Sequence, residues 1–130
     1  MKNNNFAFHR QHGISLLGLI LTLGILVLIA MLGMKVAPTV IEFMSIKKAI
    51  VSAQKAGTTV REIQVSFDKQ AEIGYFDAVA GKDLAIVKNG EGMDVSFAYS
   101  KKIPLFGPAS LLLEYTGTTA KSGAVAKKLE

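Results

Sequence analysis

The sequence predicts an α+β protein with a single N-terminal transmembrane helix that extends as a kinked spine, followed by a short helix and a small three-stranded antiparallel sheet. Three observations predict this fold. An unbroken apolar run occupies residues 14–34, apolar residues then recur at helical spacing as far as residue 56, and from Leu84 the apolar period changes to alternation. A chain of 130 residues with this layout has room for one small domain outside the membrane segment.

The apolar run begins at Ile14 and ends at Met34, between Arg10 and Lys35. It contains eight Leu, four Ile and one Val, which together favour insertion by about 4 to 8 kcal/mol. At about 1.5 Å of rise per residue, the run reaches about 30 Å, the thickness of the hydrocarbon core of a bilayer. The sequence therefore predicts a retained membrane anchor, because the apolar part of a cleavable signal is shorter, at about 7 to 15 residues.

The chain divides into five predicted segments. They are a short basic cytoplasmic leader (1–13), the transmembrane helix (14–36), a helical extension (37–57), a small periplasmic α+β domain (58–118) and a flexible tail (119–130). The numbers of Lys and Arg on the two sides of the helix do not decide its orientation. A short leader without acidic residues fits a cytoplasmic N-terminus, which places the domain on the other side of the membrane.

Helical spacing predicts two helices outside the membrane. The extension is predicted from the helical recurrence of Val36, Val40, Phe43, Ile46 and Ile50, and Pro38 predicts a kink near the membrane surface. Thr59 and Glu62 form a capping box that starts the second helix. One face of that helix carries Val60, Ile63, Phe67 and Ala71, and Gly74 can end it.

Alternation predicts three strands. A first strand over 84–88 precedes a hairpin turn at 89–92, and a second strand over 93–99 carries apolar residues at every other position. A turn at 106–108 leads to a third strand over 111–116. The second helix, the helical extension, or both are expected to cover the apolar face of this sheet.

Charge and composition exclude several function classes. The net charge is +5, but twelve basic and ten acidic residues remain after Lys2, Arg10 and Lys35 are set aside, and these charges are interspersed. That pattern is typical of a solvated surface and does not predict a nucleic-acid partner. Cysteine is absent, which excludes a disulfide framework and a thiolate metal site.

Candidate catalytic and cofactor sites are not indicated. The only histidines, His9 and His12, lie in the leader, and no third ligand is near this pair in the sequence. The ten acidic residues are scattered and form no acid-base motif. The sequence therefore predicts a protein that is not an enzyme and that has no metal, cofactor or small-molecule substrate.

One candidate binding feature lies in the membrane helix. Ser15, Gly18 and Thr22 follow one another at i, i+3 and i+7 and form a narrow strip of small residues. Such a strip lets a second helix approach closely within the bilayer. The predicted partners are therefore the membrane lipid and either another copy of the chain or another envelope protein.

Gly13, Ile14, Ser15 and Leu16, preceded by a basic leader, resemble the processing motif of type IV prepilins and pseudopilins. The resemblance implies that Gly13 is the last leader residue, that Ile14 is the first residue after cleavage by a membrane-embedded peptidase, and that the architecture is pilin-like. The match departs from that family at Gly18, where pilins have a glutamate thought to pair with a neighbour's N-terminal amine.

Over residues 13–116 the chain also resembles a family of small proteobacterial inner-membrane proteins of unknown function. The matching motifs are Gly13 to Leu16, then Lys47, Lys48 and Ala49, then a turn at Pro104, Leu105, Phe106 and Gly107. This resemblance implies a location in the bacterial inner membrane and assigns no activity.

Two functional hypotheses follow. The first is a pilin-like structural or protein-interaction subunit of the inner membrane. The second is a signal-anchored periplasmic binding or accessory module of a membrane enzyme or secretion complex, which is not processed as a pilin.

Overall fold

The computed structural model describes Met1, Gly13 and residues 15–123 of the chain. Its five main elements are α1 (Leu16–Ala56), α2 (Val60–Gly74), β1 (Ala85–Asn89), β2 (Gly92–Phe106) and β3 (Ala109–Thr118). The chain forms two compact units, Met1–Gly33 and Met34–Glu130. The first unit contains the apolar start of α1, and the second contains the rest of α1 with every other element. The predicted α+β fold is confirmed.

The first part of α1 is long and apolar enough to cross a membrane. Its most apolar 18-residue window has a mean hydropathy of 2.8, and none of that window is buried within the protein. A soluble protein would cover such a surface, whereas a bilayer accommodates it. The helix remains continuous through Pro38, and the Thr39 hydroxyl donates a hydrogen bond to the Val36 carbonyl at 2.7 Å.

A single hydrophobic core lies in the second unit, between the sheet and both helices. The helix α1 contributes Ile46, Ala49, Ile50 and Ala53, α2 contributes Ile63 and Phe67, and β2 contributes Val95 and Phe97. Both helices therefore cover the sheet, as one of the sequence-based alternatives predicted. Val40 and Val60, which share the helical spacing of these core residues, are exposed.

The predicted capping box begins α2. The Thr59 hydroxyl accepts a hydrogen bond from the Glu62 amide at 3.2 Å, and the Glu62 carboxylate accepts from the amides of Thr58 and Thr59. These bonds, the one from the Thr58 amide first, lower the pKa of Glu62. The helix ends at Gly74 as predicted, but the left-handed residue that follows is Tyr75, with φ of 52°.

The sheet is antiparallel with the order β1-β2-β3. Asn89 pairs with Gly92 across the first hairpin, and Phe106 pairs with Ala109 across the second. Gly107 has φ of +50°, as the first position of a two-residue hairpin loop requires. The register shifts between Pro104 and Phe106, which makes Leu105 the extra residue of a β-bulge.

The central strand β2 is longer than the sequence predicted. Its predicted inner residues Val95 and Phe97 are buried, and the strand continues through Lys101 and Lys102 to Phe106. Ser96 is an exception on the opposite face, because it is buried with its hydroxyl 2.8 Å from the hydroxyl of Thr118. Beyond β3, Thr119 is bonded to Val95 through two hydrogen bonds of 2.9 Å.

Candidate interaction surfaces

The predicted association strip lies at the start of α1. Ser15 precedes the helix, and its hydroxyl accepts a hydrogen bond from the Gly18 amide at 3.1 Å. The Thr22 hydroxyl donates to the Gly18 carbonyl at 2.8 Å. Both hydroxyls are therefore satisfied within the helix, which suits an apolar environment. Gly13 is exposed, and Ile14 lies outside the described residues, as do His9 and His12.

Nothing in the described part of the chain packs closely against this strip. A Cβ added to Gly18 would meet only the Ser15 hydroxyl oxygen, at 3.7 Å, and a Cβ added to Gly24 or Gly33 would meet nothing within 4 Å. No packing within the described chain therefore requires glycine at these positions. The structure places Ser15, Gly18 and Thr22 at one end of one helix, and their association with another helix stays a prediction.

A second surface, which the sequence analysis missed, lies on the outward side of α1 in the second unit. We call it the outer stripe, and it consists of Ile41, Met44 and Val51. Their exposed fractions are 65%, 54% and 40%, although residues between them in the sequence are buried in the core. Their spacing of three and seven residues keeps them on one helix face. The helix α1 therefore presents apolar residues on two sides, of which the core covers one.

Lysines accompany the outer stripe. Lys48 falls between Met44 and Val51 at the same helical spacing, and Lys55 continues that row; neither forms an ion pair with any residue that the structure describes. The Lys47 ammonium lies 5.6 Å from the centroid of the Phe43 ring, a cation–π distance. The surface is therefore apolar at Ile41 and Met44, whereas farther along the helix Lys48 and Lys55 flank Val51.

A row of aromatic rings joins α1 to the sheet. Phe43 stacks on Tyr115 at a centroid distance of 4.9 Å, and Tyr115 stacks on Tyr99 at 5.3 Å. The Tyr115 hydroxyl lies 2.8 Å from the Thr39 hydroxyl. Glu42 accepts a hydrogen bond from the Ala78 amide at 3.3 Å and pairs with Lys101 at 3.1 Å. These contacts attach β2, β3 and the loop after α2 to the helix.

The hydroxyl of Tyr99 is buried and has no hydrogen-bond partner among the described residues. Its burial, then the charge of Glu42 and then Tyr115, raise the pKa of Tyr99 to about 12. The phenolate is therefore disfavoured in the folded state. A general base would need a lowered pKa, so this tyrosine is better suited to packing than to proton transfer.

Two tyrosine-to-phenylalanine variants are expected to change stability in opposite directions. Tyr99→Phe removes an unpaired buried hydroxyl and should raise the free energy of unfolding by about 1 kcal/mol, whereas Tyr115→Phe breaks the bond to Thr39 and should lower it by about 1 kcal/mol. Denaturant unfolding in detergent micelles measures both. A lower stability for Tyr99→Phe would show that its hydroxyl has a partner.

Comparison of Tyr99→Phe with the unmodified chain also tests the pKa of Tyr99. The folded pKa of Tyr99, about 12, lies above the ordinary 10.0. Ionisation of Tyr99 therefore leaves the free energy of unfolding unchanged below pH 10 and lowers it as the pH rises from 10 through 12. Tyr99→Phe should therefore lose less stability than the unmodified chain over this interval. Equal alkaline losses would contradict the raised pKa.

The tip of the second hairpin is fixed to α1. The Lys35 ammonium donates a hydrogen bond to the Pro104 carbonyl at 2.9 Å. Just beyond this bond, Leu105 is 36% exposed and Phe106 is 74% exposed. The tip was predicted only as a turn, and its apolar side chains are not part of the core.

The described residues contain no group of three or more His, Cys, Asp or Glu side chains that could hold a metal ion. A shallow cleft of about 410 Å³ lies beside the first hairpin and is lined by Gln54, Glu91, Asp94 and Thr119, among others. Gln54 donates to the Met93 carbonyl at 2.7 Å, and Asp94 accepts from the Asn89 amide group at 3.0 Å. These bonds are to neighbouring residues of the fold, and the lining groups that the structure describes form no recognisable catalytic arrangement.

The profile of the family described as a domain of unknown function, DUF4845, matches residues 35–115. The match covers more than half of the chain, and the chain therefore belongs to this family. It runs from Lys35, through the rest of α1 and all of α2, to Tyr115 in β3. No curated protein and no solved structure matches the chain. The predicted resemblance to a family of unknown function is confirmed.

Proposed function

We propose that this member of the DUF4845 family is a single-pass protein of the bacterial inner membrane and acts as a structural or protein-interaction subunit. In this proposal the N-terminus is cytoplasmic and the α+β domain is periplasmic. The observation that carries the proposal is the outer stripe on α1. The stripe supports an interaction role because it leaves an apolar helix face uncovered beside a complete hydrophobic core.

The partner is proposed to be another envelope protein rather than a second copy. In a parallel pair of α1 helices, Lys48 and Lys55 would face the same residues of the other copy, and like charges at such positions oppose pairing. A partner helix with apolar residues and carboxylates at matching heights would satisfy both the outer stripe and its lysines. Within the bilayer, Ser15, Gly18 and Thr22 would allow that partner's membrane helix to approach closely.

The proposed role is not catalytic. The chain's only histidines, His9 and His12, precede the membrane run, and the raised pKa of Tyr99 does not suit proton transfer at neutral pH. Glu42, the most enclosed carboxylate near that tyrosine, is already bonded to Ala78 and Lys101. These groups are better explained by packing of the domain against α1.

The pilin-like form of the proposal and its alternative, a signal-anchored accessory module, differ in processing. Cleavage after Gly13 in the manner of pilins would leave Ile14 as the N-terminus, with or without a methyl group. Mass spectrometry of the membrane-bound protein measures this directly. Retention of Met1 or Lys2 would favour the accessory module, which the absence of a carboxylate at Gly18 also favours.

Site-specific crosslinking tests the interaction role. The chain has no cysteine, so Met44→Cys provides a single attachment point for a photoactivatable thiol reagent in intact cells. Ile73→Cys on α2 is the matched control, because Ile73 is also an exposed apolar residue but lies away from the outer stripe. We expect an adduct from position 44 and none from position 73. The mass of the adduct from position 44 should differ from twice the mass of the chain.

Charge reversal makes the test specific. Lys48→Glu should reduce the adduct from position 44 several-fold if the partner presents carboxylates at that height. An adduct at twice the mass of the chain would instead identify a second copy. Identical adducts from positions 44 and 73, or none from either, would contradict a role for the outer stripe.

A further inference from the structure

The tip of the β2–β3 hairpin, residues 104–108, has a composition that neither the core nor the proposed partner surface explains. Its sequence is Pro-Leu-Phe-Gly-Pro, and both of its large apolar side chains, Leu105 and Phe106, are exposed. Hairpin loops in water are usually polar. The β-bulge at Leu105 interrupts the regular alternation of the strand at this point, and bulges commonly redirect side chains away from the sheet.

The tip is held at the end of the second unit that is nearest in sequence to the membrane run. Lys35, which donates to the Pro104 carbonyl, is the first charged residue after that run. Lysine ammonium groups at the ends of membrane helices lie at the level of the lipid headgroups. If α1 crosses the bilayer as proposed, a hairpin tip bonded to this ammonium lies at the same level.

The opposite end of β2 lies far from that level. Met93, near the start of β2, accepts a hydrogen bond from Gln54. Gln54 is 19 residues beyond Lys35 in the same helix, a separation of about 28 Å along the helix axis. The strand therefore runs along α1, with the first hairpin at one end and the apolar tip at the other.

The charges near the tip also fit a membrane surface. No acidic residue lies between Asp94 and Glu114, whereas Lys101 and Lys102 fall within that interval. Lys101 pairs with Glu42, and Lys102 is exposed. An apolar tip with basic neighbours complements the apolar interior and the anionic headgroups of a bilayer.

We propose that Leu105 and Phe106 insert into the interfacial region of the same bilayer that α1 crosses. The hairpin tip is then a second membrane contact of the domain. A helix alone leaves its domain free to rotate about the helix axis, whereas a second contact fixes which side of the domain faces the lipid. The outer stripe is thereby held in one orientation relative to the membrane plane. This inference rests on the proposed membrane anchor.

Tryptophan fluorescence tests the proposal, because the chain contains no tryptophan. The full chain carrying Phe106→Trp is reconstituted into vesicles of phosphatidylcholine and phosphatidylglycerol, with and without bromine on the acyl chains. Glu91→Trp is the matched control, since Glu91 is exposed in the other hairpin loop. Far-UV circular dichroism verifies that both variants retain the fold.

We expect blue-shifted emission from position 106, quenching by the brominated lipid, and several-fold weaker quenching by aqueous acrylamide than at position 91. Equal acrylamide quenching at the two positions would overturn the proposal. Protection from acrylamide at position 106 without quenching by brominated lipid would also overturn it, because a protein would then cover the tip. Vesicle flotation distinguishes failure of the membrane anchor from failure of the tip contact. Protein that does not float with the vesicles refutes the anchor, whereas floating protein with a solvent-exposed position 106 refutes only the tip contact.

Discussion

Replacing Gly117 with alanine is expected to lower the free energy of unfolding by about 3 kcal/mol, near the upper end of the usual cost of overpacking a core. A Cβ at this position of β3 would lie 2.7 Å from Cζ of Phe97 and closer still to Cε1. The Phe97 ring is fully buried, with the rings of Phe43 and Tyr99 at centroid distances of 6.0 Å and 5.9 Å. It cannot move away without disturbing both neighbours. Denaturant unfolding in micelles measures the loss.

A double-variant cycle identifies the cause. Phe97→Leu alone removes packing and should destabilise the domain, but in the Gly117→Ala background it also removes the clash. The two changes should therefore cost less together than the sum of their separate costs, by about 1 to 3 kcal/mol. Gly90→Ala is the control, because a Cβ there meets nothing within 4 Å. Additive costs would show that Gly117 is not required for the seating of Phe97.

This close approach could not be predicted from the sequence. Alternation over residues 93–99 predicted that Phe97 faces the core, and it does. The requirement for glycine at position 117 depends on the register that pairs it with Phe97. Register is a property of two strands together, and the predicted third strand ended at Thr116, before this pair.

The length of β2 was underestimated because it also depends on a tertiary contact. Pro104 removes a backbone donor and is normally confined to strand edges. In a strand, the nitrogen and the carbonyl oxygen of one residue point to the same side, and the Pro104 carbonyl accepts a hydrogen bond from Lys35 of α1. The proline nitrogen therefore faces the open edge of β2, where no donor is required. Only the tertiary contact with α1 shows why the strand tolerates this proline.

The candidate surfaces were predictable to different degrees. Composition predicted the apolar run, whereas helical spacing predicted the strip of Ser15, Gly18 and Thr22, whose association with another helix stays a prediction. The outer stripe was missed because helical spacing is present on both sides of α1, and a pattern cannot show which side the sheet covers. Ile41 and Met44 became recognisable as a surface only when the core was found to consist of Ile46, Ala49 and Ile50 with their partners. The exposure of Phe106 was not predicted, because this residue was assigned only to a turn.

Placing two lysines in the middle of the apolar run is expected to remove the proposed anchor from the membrane. Leu23→Lys with Leu26→Lys would cost about 5 to 7 kcal/mol for the two charges near the helix centre, and it would also remove two favourable leucines. This total is comparable with the whole favourable insertion term of about 4 to 8 kcal/mol. Carbonate extraction of membranes and flotation in a density gradient measure how much of the chain remains inserted.

The same two charges placed farther along α1 provide the control. Ile41→Lys with Met44→Lys uses the same spacing on the same helix, at positions as exposed as Leu23 and Leu26, but beyond Lys35. If the hydrocarbon core of the bilayer ends near Lys35, the ammonium groups of these lysines reach the headgroups or water, and the chain stays anchored. The outer stripe would be lost without release of the protein from the membrane. Release by both pairs would mean that the membrane segment extends past Lys35, and release by neither would mean that residues 14–34 do not span the bilayer.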